Sequence, residues 1–192
     1  VVKNGVVISS GYLGNSMQFD GVDDFVQFQS SPSFNFNGSG VTVSVWTKLA
    51  YLPSQLLQPF GPLFDAEADQ FVLYEDRGNN ELRFKVVTNV TAERPGIPGA
   101  DLVTGKWIHV VGVYNGSHAK VYLNGVLKDS HILTGNVNTG IVPMLGKSGT
   151  SGTPSYFKGS IDNVLVFNYG FTDEEVSGLY NNTKIPANII VG

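Results

Sequence analysis

Val41-Thr42-Val43-Ser44-Val45-Trp46-Thr47-Lys48-Leu49 decides the fold. Successive side chains of an extended chain point to opposite faces. Val41, Val43, Val45 and Leu49 therefore share one face, and Thr42, Ser44, Trp46 and Lys48 share the other. Glu81-Leu82-Arg83-Phe84-Lys85-Val86 repeats the pattern with Leu82, Phe84 and Val86 inward, and Ala119-Lys120-Val121-Tyr122-Leu123 repeats it again. Residues 107–114 are apolar on both faces, which predicts a central strand covered on both sides. Asn124-Gly125 follows 119–123 directly and precedes Val126-Leu127. Asn-Gly tolerates the positive φ angles of a type I′ turn, so this is a predicted hairpin. Further strands are expected near 16–19, 24–28, 60–65, 69–75, 141–146 and 156–168. Many short strands separated by Gly, Asn and Ser turns predict two sheets packed face to face.

Composition supports one such unit. The chain has 192 residues, 42% hydrophobic and 15% charged, enough to bury a substantial core and too weakly charged for a disordered chain. The reading is a single domain over 1–192, and Val1-Val2-Lys3-Asn4-Gly5 is expected to be the interior of a longer protein. A net charge of −4 gives no reason to expect nucleic acid or an anionic membrane surface as partner. No run approaches the roughly 18 apolar residues of a membrane span, so no membrane insertion is expected. The absence of cysteine excludes disulfides, thiolate metal sites and a cysteine nucleophile. Asn37, Asn89, Asn115 and Asn181 each open an Asn-x-Ser/Thr tripeptide, which matters only in a host that glycosylates such sites.

One helix is predicted, at 173–181. Thr172 is its cap, and Glu175 completes a Thr-x-x-Glu capping box. Asp173, Glu174 and Glu175 occupy the first turn, where the helix dipole favours negative charge, and Val176, Leu179 and Tyr180 form a short apolar stripe. The helix is expected to plug one edge of the sandwich. Segments 50–62, 91–101 and 147–155 read as loops, where binding functions gather.

Four stretches, in order, carry a family resemblance. Asn15-Ser16-Met17-Gln18-Phe19-Asp20-Gly21-Val22-Asp23-Asp24-Phe25-Val26 resembles the opening of laminin-G-like, concanavalin A-like domains. Lys106-Trp107-Ile108-His109-Val110-Val111-Gly112-Val113-Tyr114 is similar to their central strand, and Lys120-Val121-Tyr122-Leu123-Asn124-Gly125-Val126 to the hairpin that follows. Phe157-Lys158-Gly159-Ser160-Ile161-Asp162-Asn163-Val164-Leu165-Val166-Phe167 resembles the closing strand, with Asn163 and Leu165 departing from the usual acidic and basic residues. The resemblance implies an all-β jelly-roll sandwich of two antiparallel sheets. It also implies a non-catalytic carbohydrate-binding or adhesive domain of a secreted or cell-surface protein, monomeric within a larger chain and often holding calcium.

Calcium takes six to eight hard oxygen ligands. Asp20, Asp23 and Asp24 lie within one short glycine-containing segment, which also reads as an ordinary hairpin turn with a solvated flank. The resemblance favours the ion and adds Asp162 as a distant fourth ligand, brought close if the first and last strands pair.

Sugar sites combine aromatic rings with polar groups that meet hydroxyls. Trp46, Tyr74, Arg83, Lys85 and Tyr122 are the expected ligand-binding residues, provided their strands share a sheet, with Asp65, Glu67, Arg94 and Tyr156 as a rim. The alternative partner is an extracellular protein. Arg83 and Lys85 also fit a solvated strand face, Trp46 a covered tryptophan, and His109 a buried, hydrogen-bonded histidine. No catalytic residue is assigned. The Glu-x-Asp-x-x-Glu pattern of sandwich hydrolases is absent, and Asp65-Ala66-Glu67, read as a loop, is the sole near miss. Gln-x-His and Tyr-x-Lys lyase patterns, serine elbows, zinc helices and P-loops are missing as well.

Overall fold

The computed structural model describes residues 2–3, 5–29, 38, 40–66, 70–137, 142–148 and 154–181. Two antiparallel sheets dominate them. The larger runs β1 (Val2–Lys3), β4 (Phe25–Gln27), β14 (Met144–Leu145), β6 (Phe60–Asp65), β7 (Phe71–Asp76), β8 (Glu81–Val87), β10 (Gly96–Pro98), with β9 (Ala92–Glu93) also pairing β8. The smaller runs β13 (Val126–Ile132), β12 (His118–Leu123), β11 (Trp107–Tyr114), β5 (Val41–Leu49), β17 (Lys158–Phe167), β3 (Asn15–Asp20), β2 (Val7–Ser10). A short ribbon joins β15 (Lys147–Ser148) to β16 (Ser155–Tyr156). The order in each sheet departs from chain order, as a jelly roll requires.

The alternation sets the core. Val41, Val43, Val45 and Leu49 from β5 meet Phe71 and Leu73 from β7 and Leu82, Phe84 and Val86 from β8 in one cluster between the sheets. Fully burying each such side chain is worth about 1.5–3 kcal/mol. Gly112 on β11 marks how closely the layers approach, because any side chain there would strike the ring of Phe84. The β12–β13 hairpin turns on Asn124 (φ 51°) and Gly125 (φ 79°), as the Asn-Gly pair predicts.

The helix α1 spans Asp173–Tyr180 and is capped as expected. Thr172 Oγ1 accepts from Glu175 N at 3.2 Å, and Thr172 N donates to Glu175 Oε2 at 2.8 Å. Its place differs from the expectation. It packs on the outer face of the seven-stranded sheet, where Val176 and Leu179 join Val111, Val113, Tyr122, Phe167 and Phe171 in a second apolar cluster.

That second layer buries the outer residues Thr42, Ser44 and Trp46 of β5, so Trp46 is the covered tryptophan that its alternative reading describes. Thr42 stays satisfied under the cover: its hydroxyl donates to Tyr169 O at 2.8 Å and accepts from Phe171 N at 3.0 Å. One correction concerns a loop, and one strand went unread. Segment 91–101 contains β9 and β10, because an extended Gly96-Ile97-Pro98 completes the edge beside β8. Strand β2 has no inward apolar face to announce it, and Val7 and Ile8 are both exposed. Glu67 and the tripeptides opening at Asn37 and Asn181 lie wholly or partly outside the described residues.

Candidate functional site

The acidic turn joins β3 to β4. Gly21 takes a φ of +79°, which lets the chain reverse immediately after Asp20. Asp20 Oδ1 then accepts from Val22 N at 2.7 Å and Asp23 N at 3.4 Å, while Asp24 Oδ2 accepts from Asp20 N at 2.9 Å. One carboxylate oxygen from each of Asp20, Asp23 and Asp24 lies within 4.8 Å of the others. Burial pushes the Asp24 carboxyl above the usual carboxylate range; the charges of Asp20 and Asp23 add to this, and the Asp20 N–H opposes it. Gln58 staples the turn from outside, donating to Gly21 O at 2.7 Å and accepting from Tyr156 N at 3.0 Å.

Asp162 is not part of this cluster, which corrects the expected ligand set. Strands β17 and β3 do pair, but in a register that sets Lys158 opposite Asp20 and Ile161 opposite Met17. Asp162 is therefore displaced along the strand by about 13 Å, at roughly 3.3 Å per residue. Its Oδ2 instead accepts from Leu13 N at 2.9 Å and its Oδ1 from Asn163 N at 2.7 Å. It pins the 11–14 turn, so that Tyr12 stacks on Trp46 with centroids 3.5 Å apart and planes at 10°. Replacing Asp162 with alanine is expected to release Tyr12, shift tryptophan emission to longer wavelength and cost about 1–3 kcal/mol in urea unfolding. Unchanged emission and stability would contradict this role.

The expected ligand face is divided between the sheets, because period two fixes a side chain's face but not its strand's sheet. Trp46 and Tyr122 belong to the seven-stranded sheet and point into the layer beneath α1. Trp46 is 7% exposed, stacked on Tyr12 and, at 5.0 Å and 5.8 Å, on His109 and Tyr180. Tyr122 is buried and donates to Asp173 Oδ1 at 2.7 Å, beside the Lys120 ion pair to the same oxygen at 2.9 Å. Burial and the Asp173 carboxylate hold its phenol well above the ordinary range. Both residues are committed to holding the covered face together.

Tyr74, Arg83 and Lys85 lie on the outer face of the eight-stranded sheet, with Tyr74 opposite Arg83 and Val72 opposite Lys85. Arg83 is taken up by Glu81 at 2.7 Å and Asp76 at 3.5 Å. Tyr74 and Lys85 line a pocket of about 160 Å³ with Phe60, Pro62, Val72, Arg94 and Ser148. Phe60 is 39% exposed and meets Tyr74 edge-on, with centroids 5.5 Å apart and planes at 77°. Phe60 is thus the accessible ring and Tyr74 its buried support, whose phenol is raised first by burial and then by Asp76. Sequence reading placed Phe60 at the start of the expected strand 60–65, where it overlaps the 50–62 loop, and gave it no ligand role; its exposure follows from pairing with Asp76 at the sheet's end. Of the expected rim, Arg94 lines this pocket, and Tyr156 lines a smaller one of about 110 Å³ bounded by Asp20, Gln58 and Phe60. Asp65 belongs to β6 and is fully buried, not in a loop.

A larger cleft of about 530 Å³ adjoins the acidic turn, with Asp20, Asp24, Lys48 and Lys158 among its lining residues. Its aromatic ring, Phe19, is only 2% exposed.

A family model described as the concanavalin A-like lectin/glucanases superfamily matches residues 20–177. No curated protein matches the chain significantly by sequence. Among solved structures, the binding domain of Paraclostridial Mosquitocidal Protein 1 superposes with a TM-score of 0.76 at 16% identity, over 95% of this chain and 47% of that one. Domain 4 of AbnA, a GH43 extracellular arabinanase from Geobacillus stearothermophilus solved with arabinotriose, gives 0.64 at 18% identity, over 93% and 82%. The binding domain of botulinum neurotoxin DC in complex with SialylT gives 0.71 at 14% identity, over 96% and 46%. The chain spans about half the length of the toxin binding domains it matches.

Proposed function

We propose, on the premise that this chain belongs to the concanavalin A-like lectin/glucanases superfamily, that it is a carbohydrate-binding domain of a secreted or cell-surface protein. The observation that carries this reading is the pocket on the outer face of the eight-stranded sheet. There an exposed phenyl ring, Phe60, stands beside Lys85, Arg94 and Ser148 over a buried floor of Val72 and Tyr74. An aromatic ring beside convergent polar groups suits a sugar, which has an apolar face and a hydroxylated edge. The larger cleft lacks such a ring. The AbnA domain bound to arabinotriose supports the same reading, and the fold remains one that hosts enzymes elsewhere. No reaction is assigned to this chain.

The acidic turn is assigned a structural calcium ion. Oxygens that share an ion at 2.3–2.6 Å lie no more than about 5 Å apart, and the Asp20, Asp23 and Asp24 oxygens meet that limit. These three side chains would hold the ion, with Gln58 tying the turn to the loop that leads into Phe60. A ligand that binds only the folded state stabilises it by mass action. Adding calcium is expected to raise the melting temperature, and chelation or Asp23→Asn to lower it. A melting curve indifferent to both would remove the ion.

A second reading, a protein-binding or adhesion domain, is favoured by the exposed apolar side chains Val7, Ile8, Tyr12 and Leu13 on and beside edge strand β2. A glycan array with and without chelator separates the two. Binding to a defined glycan class, weakened by Phe60→Ala, supports the carbohydrate reading. Failure to bind any glycan under either condition overturns it.

A further inference from the structure

We infer that His131 is a pH-operated latch that ties the edges of the two sheets together and sets the position of Arg94 in the pocket beside Phe60. The latch stands on its own geometry, and its effect on a bound sugar rests on the carbohydrate reading above. His131 projects from β13, which ends the seven-stranded sheet. Its Nδ1 lies 2.8 Å from Glu93 Oε2 on β9, a strand of the eight-stranded sheet, and its Nε2 lies 3.2 Å from Asp129 Oδ2 on its own strand. That same Asp129 oxygen accepts from Gly96 N on β10 at 2.9 Å. The two anchor points, Glu93 and Gly96, bracket Arg94, which lines the pocket. His131 is thus a positioning residue, acting on the pocket from the opposite sheet.

A neutral ring cannot serve both carboxylates. An ionised carboxylate only accepts hydrogen bonds, and a neutral imidazole donates from one nitrogen while presenting a lone pair at the other. With the proton on Nδ1, the Nε2 lone pair faces the Asp129 oxygen; with the proton on Nε2, the clash moves to Glu93. An imidazolium donates to both at once. Histidine is the side chain that ordinarily exchanges these forms between pH 5 and 8. The neighbouring charges have partners of their own: Lys120 is paired with Asp173, and Lys128 with Asp101. Ala119, opposite His131 on β12, is uncharged. Two further ties cross this edge, Lys128 to Asp101 and Asp129 to Gly96 N, and neither uses an imidazole. At low pH, then, the ring holds Glu93 and Asp129 together and the 93–96 segment is fixed. As pH rises, one of the two contacts fails and the segment loosens. A contact held in place beforehand spares the ligand the cost of ordering it. The three side chains are 40%, 35% and 34% exposed, so the effect is a few-fold and salt screens it.

The test is amide hydrogen exchange on the whole chain at pH 5.5 and pH 7.5, at low salt, beside His131→Gln and Glu93→Gln. Protection of the Glu93, Arg94 and Gly96 amides, relative to the unfolded chain, is expected to fall about three-fold in the wild type over this interval. In both variants it should be level. Glu75 and His109 are present in all three proteins, so the difference belongs to the His131 pair. The same pH dependence in wild type and variants overturns the latch. Titration calorimetry with the glycan bound most tightly on the array then reads the coupling. Its affinity is expected to fall two- to five-fold from pH 5.5 to 7.5 in the wild type, and not in His131→Gln or Arg94→Gln. Exchange that responds to pH while affinity does not overturns the control of Arg94 and leaves the carbohydrate reading standing. An array with no bound glycan overturns that reading, and exchange alone then decides the latch.

Discussion

Replacing Glu75 with glutamine is expected to stabilise the domain by several kcal/mol at pH 8.5 and to change it little at pH 4. Glu75 sits on β7 in phase with Phe71 and Leu73, so its side chain points between the sheets, where it is 1% exposed. Neither carboxyl oxygen has a hydrogen-bond partner, and any side chain at Gly61 on the neighbouring strand would collide with it. Burial disfavours the charged form and pushes the group from 4.5 up to about 8. The folded state therefore keeps a proton that the unfolded state releases. Between those values stability falls as pH rises, by about 1.4 kcal/mol per unit. The contribution is fully present below pH 4.5 and gone above pH 8, about 5 kcal/mol in total. Glutamine keeps the shape and removes the titration. Urea unfolding across this range checks it; wild-type and variant curves that stay parallel would contradict the burial.

His109 is expected to produce the opposite slope. It is fully buried on β11, its Nε2 is 2.8 Å from Ser44 Oγ, its Nδ1 has no partner, and burial lowers it from 6.5 to about 4. Here the unfolded state takes up a proton that the folded state resists. Stability present above pH 6.5 is lost as pH falls toward 4, about 3 kcal/mol in all. From pH 4.5 to 6.5 the two groups cancel, one proton against one. These two groups together thus give a plateau there and decline on either side. In Glu75→Gln the stability difference from a Glu75→Gln/His109→Gln double variant should rise with pH up to 6.5 and then level. In His109→Gln the corresponding difference should fall from 4.5 to 8. The shape of these difference curves is the readout, because lost packing lowers a curve without tilting it. Curves without tilt in either comparison would contradict the assigned protonation states.

Much of this architecture is legible in the sequence for local reasons. Period two in 41–49 and 81–86 gives the inward faces of β5 and β8. Asn124-Gly125 gives a hairpin because the turn needs positive φ at both positions, and Thr172 with Glu175 gives a helix start because the two side chains satisfy each other's backbone donors. What was not legible depends on long-range choices. The pattern of β5 and β12 is the same kind as that of β7 and β8, so nothing in it assigns Trp46 and Tyr122 to one sheet and Tyr74 and Lys85 to the other. The cover over Trp46 comes from Tyr12 and Tyr180, near opposite ends of the chain. Asp162 misses the acidic turn because the β3–β17 register, which pattern alone leaves free, sets Lys158 there instead. The acidic turn itself was visible because its three carboxylates lie within one short segment.

The most direct measurement is backbone amide chemical-shift mapping of the chain during titration with its best-binding oligosaccharide. The expected result is a set of saturating shifts centred on Phe60, Val72, Tyr74, Lys85 and Arg94, with the strands under α1 unmoved. Shifts confined to β2, to Tyr12 and Leu13, or to the cleft lined by Lys48 and Lys158 would place the ligand elsewhere and contradict the assigned site.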